Sequence, residues 1–313
     1  MNINIKLPKG KTGGYLALCT TSFVWGTTWV VSKIGIAEIP ALQLVYIRQF
    51  FGGLCFVIFF MILRKLALPT RKEFVWLLVM ALLMFVLANG LSTWSLKFIP
   101  AGLSALIGAL YPLSMVIMDM VFFKNRNMTA LTFLGLLLGI TGIGIVFYEN
   151  AFHHHPQGFL IGVSLSVIAM LSWSVGSLVI ARKKTTLNPY YATGWQMLIS
   201  AVILFAAAET TQTTLAFRDI SSTVWWVILY LVAAGSILSF VAFIYSLKTL
   251  PPAISSLYAY INPLVAMVTA AIVINEKLTL YIFWGAMVTL AGVFLVNYSI
   301  KKSNIKIIAE PEQ

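Results

Sequence analysis

Charged residues are scarce in this 313-residue chain. They make up 10% of the sequence and only nine of them are acidic, whereas hydrophobic residues make up 60%. Soluble domains carry roughly 25% charged residues, so a soluble fold of this size could not bury so much apolar surface. The scarcity therefore excludes a soluble protein and indicates one that lies in a lipid bilayer.

Cysteine and histidine are also few. Cys19 and Cys55 lie inside apolar runs, so we interpret them as small buried hydrophobic residues, and no disulfide framework is implied. The three histidines are adjacent, His153, His154 and His155, and consecutive loop residues do not form a closed metal site. We expect no metal and no cofactor.

Catalytic motifs are missing as well. The chain has no His-Glu-x-x-His, no Gly-x-Ser-x-Gly, and no P-loop. An intramembrane enzyme and a non-transporting membrane sensor stay open as alternatives, but the first lacks a reactive constellation and the second lacks a soluble output domain. We therefore predict that the protein is not an enzyme.

The apolar residues form runs of about 18–23 residues, the length needed to cross a bilayer as a helix. Several runs are separated by proline-marked turns, at Pro40, at Pro100 and at Pro251-Pro252. The sequence predicts an all-α polytopic membrane protein with ten transmembrane helices. The predicted spans are 14–36, 41–63, 74–96, 101–123, 129–148, 158–181, 189–209, 223–247, 253–275 and 279–299.

The formal net charge is +12, and the basic residues indicate topology rather than nucleic-acid binding. With the N-terminus in the cytoplasm, 16 of the 21 Lys and Arg residues fall on the cytoplasmic side. The exceptions are Lys33, Lys97, Arg218 and Lys277 on the outer side, and Arg48 within a span. Both termini are therefore predicted to be cytoplasmic.

The two halves of the chain resemble each other. Landmarks recur in the same order at an offset close to 150: Trp25 with Trp173, 94–100 with 245–251, Tyr111-Pro112-Leu113 with Asn262-Pro263-Leu264, and Gly135 and Gly142 with Gly285 and Gly292. Each half holds five spans, an odd number, so the second half must enter the membrane from the opposite side. This predicts two inverted five-helix repeats, an architecture that recurs in secondary transporters.

The predicted segments follow from this pattern. They are a cytoplasmic segment at 1–13, a first repeat at 14–148, an outer loop at 149–157, a second repeat at 158–299, and a cytoplasmic tail at 300–313. The glycines Gly135 and Gly139 form a G-x-x-x-G element, which favours close helix packing within one chain over a dimer contact. We favour a monomer.

Four pieces of the sequence occur in a characteristic order: Trp25-Gly26-Thr27-Thr28-Trp29 with Lys33; Arg48; 96–101 followed by Pro112; and 251–263 followed by Glu276-Lys277. On these pieces the chain resembles the EamA family of the drug/metabolite transporter superfamily, across about 15–147 and 158–298. The resemblance implies ten spans, cytoplasmic termini, a central cavity lined by spans 1, 3, 4, 6, 8 and 9, and export of metabolites or amino acids. The sequence departs from the family after span 4, where Asn125 replaces the usual acidic residue.

Arg48 is the most informative charged residue. It lies about seven residues, or about 10 Å, into span 2 from the predicted outer face. An arginine at this depth costs at least about 2.5 kcal/mol and so must face a cavity or a partner. Two interpretations stay open: it binds a substrate carboxylate, or it is held by structural hydrogen bonds. Lys33 is expected to extend to the membrane interface, and Glu276 to lie there too.

Polar and aromatic residues inside the spans are the other candidates for a substrate site. They either line a cavity or pack helices together. The set is Trp25, Thr28, Trp29, Asn89, Trp94, Tyr111, Ser114, Trp173, Ser177, Tyr245, Tyr258 and Asn262. Pro112 and Pro263 occupy matching places in spans 4 and 9 and are predicted to act as hinges or gates.

The sequence therefore predicts a secondary transporter in the cytoplasmic (inner) membrane of a bacterium, working by alternating access on a small-molecule substrate. Export of amino acids or related metabolites is favoured, and efflux of hydrophobic or cationic drugs is the alternative. No carboxylate lies near the middle of a span, which weakens a proton-coupling mechanism that uses carboxylates.

Overall fold

The computed structural model describes residues 11–64, 66–123, 129–152, 157–182, 187–211, 214–250, 252–255 and 257–309. Within these ranges every regular element is helical and no β-strand occurs. The predicted all-α fold class is therefore confirmed.

The first half of the chain forms seven α-helices in these ranges. They are α1 (Lys11–Ile36), α2 (Ala41–Ile58), α3 (Arg71–Ala81), α4 (Leu91–Ser95), α5 (Ala101–Gly108), α6 (Tyr111–Phe123) and α7 (Ala130–Phe152). A π-helical segment, Phe59–Leu63, extends α2, and a second one, Leu82–Gly90, joins α3 to α4.

The second half follows a similar order. Its α-helices are α8 (Phe159–Arg182), α9 (Pro189–Thr211), α10 (Ser222–Tyr230), α11 (Ser239–Thr249), α12 (Pro252–Ser255), α13 (Tyr258–Val273) and α14 (Leu280–Ala309). A short 3₁₀ turn lies at Phe217–Asp219, and a π-helical segment, Leu231–Leu238, joins α10 to α11.

Helix starts follow from local sequence. Pro40 and Pro100 precede α2 and α5, each with an extended backbone (ψ 141° and 146°), which ends the preceding turn and starts the next helix. Thr70 forms a capping box with Glu73: the carboxylate accepts from the Thr70 backbone N–H at 2.8 Å. The turns predicted at Pro40 and Pro100 are confirmed, whereas Pro251 lies outside the described residues.

Seven helical segments of the described chain are long and apolar enough to cross a membrane. They are Ala41–Leu63, Arg71–Ser95, Ala101–Met118, Phe159–Ile180, Pro189–Thr211, Ser222–Thr249 and Leu280–Ser299. Ala130–Val146 and Tyr258–Val273 are shorter apolar helices. Helix α1 has 26 residues but is more polar, because it contains several glycine, serine and threonine residues.

The surface of the bundle differs from that of a soluble protein, while its core is mainly apolar in the usual way. Large apolar residues face outward, as in Leu160 and Ile272, which are 74% and 75% exposed, whereas Ser104, Ser174 and Ser200 are fully buried. Such a surface suits lipid, and the small buried hydroxyl residues let helices approach one another closely.

The cysteines follow the same rule, and here one prediction is wrong. Cys19 and Cys55 are exposed, on α1 and α2. They were expected to be buried because they lie in apolar runs, but an apolar run in a membrane helix has a lipid-facing side as well as a packed side. Hydropathy alone does not distinguish the two sides.

Helices α7 and α14 pack together through glycines. A Cβ added at Gly135 would lie 2.7 Å from the carbonyl oxygen of Gly292, and one added at Gly142 would lie 2.6 Å from that of Gly285. The backbone of Gly139 also packs against Gly292, while a Cβ added at Gly139 would meet Leu113 of α6. The predicted role of Gly135 in packing within one chain is confirmed, and we call this α7–α14 contact the glycine seam.

The remaining helices connect the two halves of the chain. Helix α1 packs against α11 and α13, and α8 packs against α4, α5, α6 and the Leu82–Gly90 segment. Helix α2 packs against α9. Helix α1 belongs to the first half but packs against the second, and α8 belongs to the second half but packs against the first. The space between α1 and α8 is therefore bounded by both halves.

Candidate functional site

A cavity of about 170 Å³ lies between α1 and α8, large enough for several water molecules or one small organic molecule. Its wall combines aromatic rings, one arginine and small polar groups. The lining residues are Trp25, Thr28, Trp29, Arg48, Ala88, Asn89, Ser92, Ser104, Ala105, Gly108, Ala109, Tyr111, Ser166, Ala169, Met170, Trp173, Phe240, Tyr258, Ala259, Asn262 and Pro263.

Arg48 supplies the charge of this cavity. The residue is only 5% exposed, and its Nε donates to the hydroxyl of Ser236 at 2.9 Å. A Cβ added at Gly235 would lie 3.2 Å from Nη2 of Arg48, so the glycine allows the guanidinium to pass close to the backbone. Within the described residues no carboxylate lies at ion-pair distance from Arg48.

The π-helical segments carry several of these contacts. Gly235 and Ser236 lie in the Leu231–Leu238 segment, and Asn89 lies in Leu82–Gly90. Trp25 Nε1 donates to the carbonyl oxygen of Gly235 at 3.1 Å. A widened helical turn alters the pairing of backbone carbonyls within its helix, and π-helical turns frequently occur at functional sites.

Two asparagines face the cavity with their amide oxygens already engaged. Gln49 Nε2 donates to Asn89 Oδ1 at 3.1 Å, and Trp29 Nε1 donates to Asn262 Oδ1 at 2.9 Å. Neither amide nitrogen has a partner among the described residues. Both asparagines therefore present hydrogen-bond donors to whatever occupies the cavity.

An aromatic cluster forms one side of the cavity. The ring of Trp25 lies 5.2 Å from Phe240, 5.5 Å from Tyr258 and 6.4 Å from Trp173, centroid to centroid. Tyr111 stacks on Tyr258 at 6.2 Å. The cluster joins α1, α6, α8, α11 and α13, and it offers a large apolar surface to a ligand.

The cavity contains most of the site residues expected from the sequence. It brings together Trp25, Thr28, Trp29, Arg48, Asn89, Tyr111, Trp173, Tyr258 and Asn262. Its wall does not include Trp94, Ser114, Ser177 or Tyr245, so for these four residues the geometry departs from the expectation. Depth within a span does not determine which face of the helix a residue occupies.

Trp94 and Ser114, two of these four residues, contribute to helix packing. Trp94 packs against the apolar cluster that contains Leu204 and Leu231. Ser114 forms a hydrogen bond with Ser174 of α8 and donates to the carbonyl oxygen of Tyr111 at 2.8 Å. Both side chains thus contribute to helix packing.

The matched prolines have different surroundings. Pro112 is buried in the first turn of α6, just after a break in the helix at 109–110. Pro263 lies inside α13, is also buried and reaches the cavity wall. A role as hinges stays a prediction for both residues.

The sequence analysis did not select several other wall residues, among them Ser104, Ser166 and Phe240. Ser104 and Ser166 lie on α5 and α8 with their hydroxyl oxygens 2.9 Å apart, and Ser104 is also 2.9 Å from Ser95. Phe240 lies on α11. The two serines are polar residues inside apolar segments, so the reasoning that selected Ser114 could have selected them too.

Lys33 and Glu276 form an ion pair at the end of the bundle where α1 ends. Lys33 Nζ lies 2.7 Å from Glu276 Oε1 and donates to the carbonyl oxygen of Ile99 at 3.0 Å. The Glu276 carboxylate also accepts from the backbone N–H of Ala101 at 2.9 Å, at the N-terminus of α5. Both side chains thus have partners in other segments of the chain, and their position at the membrane interface stays a prediction.

Some sequence features lie outside the described residues, namely Asn125 and the triplet His153, His154 and His155. Where the structure does describe the chain, no three His, Cys, Asp or Glu side chains come together as a metal site.

A helical bundle that exposes leucine and isoleucine, and encloses a polar cavity around a buried arginine, defines a class: a multi-pass membrane protein with an internal cavity. A comparison with protein families identifies the family within this class. The model of the EamA-like transporter family matches residues 12–148 and, a second time, residues 160–298. The chain therefore belongs to the EamA-like transporter family.

Relatives of similar length support this membership. The chain is 22% identical to the transporter YoaV of Bacillus subtilis (strain 168) over 93% of its own length and 98% of YoaV. It is 27% identical to the transporter YvbV of the same organism, over 93% of each chain. It is 28% identical to the inner membrane transporter YedA of Escherichia coli (strain K12), over 80% of this chain and 79% of YedA.

The fold also occurs in a solved crystal structure. That structure superposes with a TM-score of 0.65 over 90% of this chain and 96% of its own, at 14% sequence identity. At this identity the similarity concerns the fold alone.

Proposed function

We propose that this protein is a secondary transporter that moves small metabolites across the cytoplasmic membrane of a bacterium by alternating access, most of all as an exporter of amino acids or related metabolites. The observation that carries the proposal is the cavity, whose wall is built from both halves of the chain. A site between two halves can be exposed to either side of a membrane if the halves tilt against each other.

The proposed architecture has ten spans in two inverted repeats, at 14–148 and 158–299, joined by an outer loop at 149–157. Segments 1–13 and 300–313 lie in the cytoplasm. The glycine seam supports the repeat, because Gly135 contacts Gly292 and Gly142 contacts Gly285. Exchanging the halves at an offset of 150 turns each of these contacts into the other, as a two-fold relation requires.

Transport of amino acids is favoured by the polar groups of the cavity. Arg48 offers a guanidinium to a carboxylate, and the two asparagine amides offer further hydrogen bonds. The aromatic cluster suits an apolar side chain. The lipid bilayer is the one other partner that the proposal requires, and we favour a monomer.

The test is efflux from proteoliposomes loaded with labelled amino acids. A cavity-filling variant, Ala169→Trp, should abolish efflux, because Ala169 lines the cavity and is buried. The matched control is Leu171→Trp on the same helix, where the side chain is exposed, and it should transport as the wild type does. If vesicles that contain the wild-type protein release amino acids no faster than protein-free vesicles, the proposal is contradicted.

The aromatic cluster also favours a second candidate, efflux of hydrophobic or cationic drugs, because rings can bind a cation through their faces. Ethidium in the same vesicles tests it. Release of ethidium with retention of every amino acid would replace the first proposal by this one.

A further inference from the structure

The described wall of the cavity carries positive charge and no negative charge. Arg48 is the only charged residue among those that line it, and the described wall contains no aspartate and no glutamate. The nearest charged groups named above do not compensate it, because Glu276 is paired with Lys33 at 2.7 Å. A buried charge without a counter-ion is costly, so the site is best satisfied when a ligand brings the negative charge.

The guanidinium is held so that one edge stays available. Its Nε is engaged with Ser236 at 2.9 Å, and no described residue accepts from Nη1 or Nη2. Two terminal nitrogens in one plane match the two oxygens of a carboxylate. The Ser236 contact therefore orients Arg48 for a bidentate ion pair.

The neutral polar groups add donors to the same cavity. The oxygens of Asn89 and Asn262 accept from Gln49 and Trp29, which leaves the amide nitrogens toward the ligand. The hydroxyl of Thr28 donates to the backbone carbonyl of Trp25 at 2.7 Å and presents a neutral oxygen. The described wall offers an ammonium no carboxylate, only the faces of aromatic rings, whose attraction for a cation is weaker than that of an ion pair and is opposed by Arg48.

We infer that the cavity selects organic carboxylates, with the carboxylate on Arg48 and an apolar body against Trp25, Trp173 and Tyr258, and that a ligand ammonium weakens binding. This inference rests on the proposed function in taking the cavity as the transport site. It goes further in separating anions from zwitterions and cations, and it ranks free carboxylates above amino acids.

Binding to the purified full-length protein tests the charge order without any flux measurement. One set of probes shares a phenyl body: 3-phenylpropanoate, phenylalanine and 2-phenylethylamine. A second set shares a branched aliphatic body: 4-methylpentanoate, leucine and 3-methylbutylamine. Because tryptophans line the cavity, quenching of their fluorescence reports occupancy. We expect the anion to bind most tightly in each set, the zwitterion more weakly, and the amine least.

Variants assign the preference to one residue. Arg48→Gln should weaken binding of 3-phenylpropanoate by about tenfold or more, since a charge-assisted hydrogen-bond pair is lost. Arg48→Lys should keep the order anion, zwitterion, amine. Lys97→Gln removes an exposed positive charge outside the cavity and should bind as the wild type does.

The outcomes are distinguishable from failure of the transport proposal. Tightest binding of an amine, equal binding within each set, or no binding of either anion to the wild-type protein would overturn the inference, even if vesicles release amino acids. The expected order in detergent would support it even if the vesicles show no flux. The wild-type order decides the question if Arg48→Gln does not fold.

Discussion

The two halves agree along the glycine seam and differ at the ion pair. In the seam, Gly135 of the first half contacts Gly292 of the second, and Gly142 contacts Gly285 in the same way. At the end where α1 stops, Glu276 binds Lys33 and the start of α5, whereas the residue that matches Glu276 in the first half is Asn125, an amide. The sequence therefore provides a carboxylate for one end of the bundle and none at the matching position for the other.

The difference separates two kinds of contact. The glycine contacts of the seam are reciprocal between the two halves, whereas the sequence offers no carboxylate at the position that matches Glu276. In the proposed orientation the ion pair lies at the outer end, and opening toward the outside would separate Lys33 from Glu276. The proposed alternating-access cycle would then be energetically asymmetric despite the repeat in the sequence.

The largest expected effect comes from the seam. Gly142→Leu and Gly285→Leu should each destabilise the protein by about 3 kcal/mol, because a side chain there meets backbone rather than space. Thermal unfolding in detergent, followed by size-exclusion chromatography, measures this. Gly144→Leu on the same helix is the control, since nothing lies within 4 Å of a Cβ at Gly144. A large cost at only one of Gly142 and Gly285 would contradict the symmetry.

A smaller effect is expected at the ion pair. Glu276→Gln should lower the free energy of unfolding by about 2 kcal/mol, since charge-assisted bonds to Lys33 and to the Ala101 N–H are lost. Chemical denaturation in detergent measures it. Lys277→Gln changes an adjacent, exposed residue and should leave stability unchanged. Equal free energies of unfolding for Glu276→Gln and the wild type would show that the ion pair does not stabilise the fold.

The smallest effect concerns the hydrogen bond across the cavity. Trp29→Phe should cost about 1 kcal/mol by removing the donor to Asn262 at 2.9 Å. Its match in the other half is Ser177, for which no hydrogen bond occurs among the described residues, so Ser177→Ala should cost almost nothing. Thermal shifts of the two variants give the comparison. If Ser177→Ala costs as much as Trp29→Phe, the halves are more alike than the structure indicates.

The sequence predicted the features that depend on length, hydropathy and local turn chemistry. Helices begin at Pro40 and Pro100 because proline acts through its own backbone and needs no distant partner. The depth of Arg48 implied that it must face a cavity or a partner, and it does both, with Ser236 on one side and the cavity on the other.

Features that depend on helix rotation and on long-range register could not be predicted. Trp94 and Tyr245 are aromatic residues at the depth expected of cavity residues, but the rotation of their helices places neither of them in the cavity wall. Cys19 lies on the lipid side of α1 for the same reason. The partner of Lys33 is more than two hundred residues away, at Glu276, and one sequence contains no signal that sets α1 and α13 at the same height.

The absence of a carboxylate from the described cavity wall has an electrical consequence. With no acid in the described wall to carry a proton alongside, a bound monovalent anion exported by the proposed mechanism would move one net negative charge across the bilayer in each turnover. Moving one such charge through the membrane potential is worth about 2.3 kcal/mol per 100 mV. Where the cell interior is negative, as in a bacterium, the potential would favour outward movement of this anion in the proposed exporter.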